Sequence, residues 1–190
     1  MMNNLPIYNI ILNEEEGLTA ISLVQNPAVE SAFIAFNEQQ KLTFSLNDEE
    51  HIVMGCALRA DHPIYRYNPQ IGEYYVVFSK EVIKELYQKF FKDNLINNVN
   101  LEHNNFTDGA YLIQSFIKDE EMGINPKGFE DCANGSWLVS YKITDEGLWQ
   151  EIKQGKLTGF SVEMFAELER KFEKQEEPEL DLIDEILKQL

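Results

Sequence analysis

The sequence predicts an α+β fold, with its strands in an antiparallel sheet or barrel rather than a parallel sheet. Three observations carry this. Short stretches rich in β-branched and aromatic residues recur along the chain, among them LPIYNIIL, HIVMGCAL, EYYVVF and SWLVSYKIT. Only two internal segments show a firm helical period. Those helices do not alternate with strands, as a parallel sheet would need. The 190 residues suffice for one domain with a real core.

Taken in order, residues 5–12 read as a strand, followed by the acidic turn NEEEG. Residues 18–24 read as a second strand, which Asn26-Pro27 stops. SAFIAFNEQQKLTFSL reads as a hairpin turning at NEQQ. Residues 51–58 read as a buried strand whose Gly55 leaves room for a bulge or a close approach. ADHPIYRYNPQIG reads as a loop, from its two prolines and glycine, and EYYVVF as a strand. Ser79 is the expected N-cap of the clearest helix, with Glu81 in its first turn. Val82, Leu86 and Phe90 form its stripe, with Ile83 and Tyr87 beside them. NNVNLEHN is a short extended segment. AYLIQSFIKD and SWLVSYKIT are two alternating strands joined by a long loop, 119–135, of a length often functional. Thr144 is the expected cap of a second helix, ended by Gly155. Residues 157–168 return to strand. The domain is expected to span 1–172. An acidic linker broken at Pro178 and a short amphipathic helix, with Leu182, Ile183, Ile186, Leu187 and Leu190 at helical spacing, follow over 173–190.

The net charge of −17 argues against a nucleic-acid partner, because phosphate binding needs clustered Lys and Arg. No apolar run approaches the roughly 20 residues of a membrane span. The start, MMNNLPIYNIILNEEEG, has neither a basic n-region nor a small-residue cleavage site, so no secretory signal is read. Cys56 and Cys132 stand in unrelated contexts, without a Cys or His at zinc-ligand spacing. A reduced, cytosolic setting follows, with no metal and no cofactor.

Three residues are candidates for chemistry. His103 ends a segment in which Val99 and Leu101 alternate toward it, so it lies at a strand end beside a polar loop, where scaffolds present reactive groups. His51 and His62 have plain strand-end and loop contexts. In KLTGFSVEM, period 2 puts Gly159, Ser161 and Glu163 on one strand face and Phe160, Val162 and Met164 on the other. The second set is a core face. The first is small, nucleophilic and acidic; its plain alternative is a solvent face. A serine nucleophile needs a base within hydrogen-bond reach, and His103 is the base this chain offers. A third group must orient the imidazole. Glu163 is the first choice, with Asp119, Glu120, Glu121 and Glu167 open. Glu102 points away from His103 if that segment is extended.

NNVNLEHN, then DGAYLIQSFI, then GKLTGFSVEM resemble the His and Ser segments of the prohead maturation proteases of tailed phages, in the branch typified by XkdF. GLTAISLVQNPAVESAFIAF, ALRADHPIYR and GEYYVVFSKEVIKEL match that branch as well. The resemblance covers roughly residues 5–170. It implies a β-barrel flanked by helices, like herpesvirus assemblin. It implies endopeptidase cleavage of phage scaffold and major capsid protein, with self-cleavage, inside proheads in the host bacterial cytoplasm. It also implies His103 as general base and Ser161 as nucleophile, 58 positions apart (161 − 103). The assemblin likeness allows a homo-oligomer. No His follows Ser161, so a Ser-His-His set with a late histidine is excluded. The competing expectations are a silent scaffolding protein of the same fold and an unrelated α+β binding module.

Overall fold

A computed structural model describes residues 5–12, 17–25, 34–35, 50–165 and 167–170. Its strands are β1 (Ile7–Ile11), β2 (Gly17–Val24), β3 (Ile34–Ala35), β4 (Ile52–Leu58), β5 (Ile64–Asn68) and β6 (Gly72–Val77). Helix α1 (Lys80–Lys92) precedes β7 (Val99–Leu101), β8 (Asn105–Phe106), β9 (Ala110–Ile117) and β10 (Trp137–Ile143). Helix α2 (Glu146–Lys153) leads to β11 (Gly159–Phe165) and β12 (Glu167–Arg170). This is an α+β protein, mostly sheet. Three four-stranded sheets form, in the orders β12-β1-β6-β5, β3-β4-β10-β9 and β11-β2-β7-β8. Pairing is antiparallel except for β1 with β6 and β2 with β7. No closed barrel is found among the described residues.

The helices close over the sheets with the faces their periodicity sets apart. In α1, Ile83, Leu86 and Phe90 are buried, and Val82 and Tyr87 pack at the margin. Ser79 caps α1 by accepting from the Val82 N–H. In α2, Leu148, Trp149 and Ile152 are buried. The cap of α2 is Asp145, not Thr144: its carboxylate accepts from the Leu148 N–H at 2.7 Å. A carboxylate at this end also complements the helix dipole, which favours Asp over the neighbouring Thr. The segment expected as a loop, 60–72, contains β5. Its prolines, Pro63 and Pro69, lie just outside the strand, and β5 is an edge strand. The expected hairpin over 31–46 shows only β3, paired to β4; the rest of it and the tail 173–190 lie outside the described residues.

The 119–135 loop is pinned. Lys118 is 1% exposed at its side chain, and its ammonium donates to the carbonyls of Phe129 (3.0 Å) and Cys132 (2.6 Å) and pairs with Glu120 (3.2 Å). Cys56 and Cys132 are not in unrelated places. They pack together with Phe129 and Leu138, and the bond to Cys132, with burial, holds the Cys56 thiol well above its ordinary pKa. Sequence separation hid this pair, because only the fold of the loop over β4 joins them. Among the described residues, no helix is long and apolar enough to cross a membrane.

Candidate active site

The site is a polar row on one face of the β11-β2-β7-β8 sheet. Register places Ser161 opposite Ser22, Ser22 opposite Asn100, and Asn100 opposite Phe106. Residues directly opposite one another point to the same face. Glu163, two positions on from Ser161, shares it. The other face carries Ile21, Leu23, Val99 and Phe160, all fully buried. Ser22, Asn100 and Ser161 are themselves buried, so the small-residue face of β11 is covered rather than open to solvent.

His103 reaches this row from the tight β7–β8 turn. The segment is not extended there. Asn104 N–H donates to the Leu101 carbonyl at 3.0 Å, and the two central residues, Glu102 and His103, have φ of 50° and 58°. Left-handed backbone at a non-glycine residue costs about 1–3 kcal/mol, so both positions are held against strain. The restraints are visible. Glu102 N–H donates to the Leu23 carbonyl at 3.0 Å, and the Glu102 carboxylate accepts from the Gln25 N–H at 2.5 Å. The turn is therefore tied to the end of β2, and the imidazole leans back over the sheet.

There the ring meets two oxygens through one atom. His103 Nδ1 lies 2.9 Å from Glu163 Oε1 and 3.0 Å from Ser22 Oγ. Asn100 Nδ2 donates to the same Glu163 oxygen at 2.9 Å. The His103 side chain is 41% exposed and that of Glu163 26%, so the pair sits at the mouth of the row. With Nδ1 turned to the carboxylate, Nε2 is the nitrogen left to take or give a proton. That is the division of labour a histidine base needs.

The structure thus joins His103 to Glu163. Ser161 lies on the same face, one strand beyond Ser22, and no hydrogen bond joins its hydroxyl to His103 among the described residues. Catalytic hydrogen bonds are often loose in an unliganded enzyme and tighten with substrate. Three of the other acids are engaged elsewhere. Glu120 pairs with Lys118, Asp119 accepts from the Met122 N–H, and Glu102 accepts from Gln25. His51 stacks on Trp149 at 4.6 Å. Sequence reasoning missed Ser22 and Asn100. Their signal was a single polar residue inside each of two otherwise apolar strand stretches, AISLV and VNL.

Comparison with known proteins bears on the family of the chain. Residues 41–170 match the family described as "Putative phage serine protease XkdF". The chain is also 24% identical over 169 residues to the uncharacterized protein YqbD of Bacillus subtilis (strain 168), covering 85% of this chain and 47% of YqbD. It therefore spans about half the length of that relative. No solved structure matches.

Proposed function

Because the chain belongs to the phage serine protease family typified by XkdF, we propose that it is a serine endopeptidase of prohead maturation, with Ser161 as nucleophile, His103 as general base and Glu163 as the orienting carboxylate. Its substrates are segments of the phage scaffold and major capsid protein, and itself, within the assembling prohead in the host cytoplasm. The sheets around the site are read as an assemblin-type scaffold, and the tail 173–190 as a segment that docks on scaffold or capsid protein. The observation that carries the reading is the 2.9 Å contact of Glu163 with His103 Nδ1 on the face that also bears Ser161.

In this mechanism Ser161 Oγ attacks the scissile carbonyl carbon while its proton passes to His103 Nε2. Glu163, at Nδ1, favours the imidazolium that forms. That imidazolium then protonates the departing amine, which leaves as the acyl bond to Ser161 is completed. A water, deprotonated by the same nitrogen, attacks the acyl carbon; the ester bond to Ser161 breaks, and Nε2 returns the proton to Ser161 Oγ. Substrate seating must bring the Ser161 hydroxyl to Nε2. A second reading, a silent scaffolding protein of the same fold, draws on one observation: Ser22, not Ser161, is the hydroxyl now at the ring.

The test compares wild type with Ser161→Ala by intact mass after co-expression with the cognate scaffold and capsid protein, and again within assembled proheads. Cleavage only in wild type is expected. Equal cleavage in both sinks the serine assignment, and none in either setting favours the silent scaffold.

A further inference from the structure

Asn100 is 3% exposed and bonded at one end only. Its Nδ2 donates to Glu163, while its Oδ1 is buried with no partner. Flipping the amide would set Oδ1 against the carboxylate, acceptor to acceptor, so Glu163 fixes its orientation. An unpaired buried carbonyl costs stability. A leucine of similar size would avoid that cost, so an asparagine serving only the fold is the poorer choice here. Ser22 is fully buried between Ser161 and Asn100, with its Oγ at 3.0 Å from His103 Nδ1. That nitrogen carries a hydrogen where it faces Glu163, because a bare lone pair would repel the carboxylate. Glu163 and Ser22 therefore hold one N–H between them.

We propose that Ser22 and Asn100 are positioning residues, a buried clamp that fixes the tautomer and tilt of His103. Asn100 holds Glu163; Ser22 and Glu163 together hold Nδ1–H; Nε2 is thereby kept as the free base. The clamp rests on the serine peptidase reading of Ser161, His103 and Glu163. Neither clamp residue touches reacting atoms. Their effect passes through the imidazole, whose second nitrogen is set by the bond its first one makes.

The test uses the full chain and two variants, Asn100→Leu and Ser22→Ala. Nitrogen-15 spectra of the His103 ring read the tautomer without any substrate. Wild type is expected to be chiefly Nδ1–H, and both variants to show a substantial Nε2–H form. Unchanged tautomers in both overturn the clamp. A fluorophosphonate probe reads the nucleophile: serine Oγ bonds to phosphorus, fluoride leaves, and the hydroxyl proton passes to Nε2. Mass mapping should place the label on Ser161. In both variants the maximal labelling rate should fall at least tenfold, with the half-saturating probe concentration within twofold of wild type. The thermal midpoint of Asn100→Leu should stay near that of wild type, because removing the orphaned carbonyl offsets losing the bond to Glu163. A lower midpoint with wild-type labelling would make Asn100 structural and overturn its role. A label on Ser22 that persists in Ser161→Ala overturns both the Ser22 role and the nucleophile assignment. No label at all, with the tautomer change present, sinks the peptidase reading and leaves the clamp standing.

Discussion

Two buried polar clusters in this fold are built on opposite terms. Around Lys118, a buried ammonium finds carbonyls at 2.6 and 3.0 Å and a carboxylate at 3.2 Å, and the loop it gathers is pinned. Around His103, the backbone is left-handed at two successive residues, one nitrogen is shared by two oxygens, and a buried amide oxygen has no partner. Both clusters bury polar atoms, yet only the first satisfies them. A satisfied network adds stability and fixes one arrangement. A strained and under-satisfied one persists where the surrounding structure holds it, and such places are often sites of chemistry.

The sharpest way to break this contrast is at the site. Ser161→Ala or His103→Ala should lower fluorophosphonate labelling by roughly 10⁴-fold or more, the scale on which single losses from such a unit act. The thermal midpoint should stay near wild type. Glu163→Gln should cost roughly 10²–10⁴-fold in the same assay, because an amide neither stabilises the imidazolium nor fixes its tautomer. Labelling within a few-fold of wild type in Glu163→Gln would make the 2.9 Å contact incidental.

Lys118→Met should do the reverse. It removes the cation and leaves the carbonyls of Phe129 and Cys132 without their donor, at a cost of about 2–4 kcal/mol in unfolding free energy. Urea denaturation checks the loss. Labelling per folded molecule should be unchanged. A variant that kept full stability would show that the loop does not need its cage, and one that lost labelling while folded would couple the loop to the site.

The difference between the clusters also explains what could be read from sequence. The helices were legible, because Ile83, Leu86 and Phe90 recur at helical spacing behind a capping serine. So was the two-faced strand that carries Ser161 and Glu163. Cross-strand partners were not. Nothing in the sequence sets Ser22 beside Asn100, because a parallel register between β2 and β7 joins residues 78 positions apart (100 − 22). The turn at His103 was hidden for another reason. A two-residue turn with positive φ at both centres prefers Asn, Asp and Gly, and Glu-His is not such a pair, so the segment read as extended. Tertiary bonds to Leu23 and Gln25 overrule that reading. Lys118 was equally unreadable, since a lysine at a strand end is usually solvated.

The smallest effect tests whether an orphaned polar atom marks the site or merely occurs. Tyr141, on β10, is fully buried, and its hydroxyl has no hydrogen-bond partner. Burial pushes its pKa strongly upward, so it stays a neutral phenol. Its ring packs at 5.2 Å on Phe160, the residue before Ser161 but on the opposite face of β11. Tyr141→Phe removes an unsatisfied hydroxyl and keeps the ring, so stability should rise by up to about 1 kcal/mol. Labelling at Ser161 should stay within twofold of wild type, because the Phe160 contact is preserved. Asn100→Leu also removes a buried orphan, and there labelling should fall while stability holds. If Tyr141→Phe slowed labelling as much as Asn100→Leu, both substitutions would be acting through the packing of the sheet. The Asn100 amide would then lose its claim to hold Glu163 for catalysis.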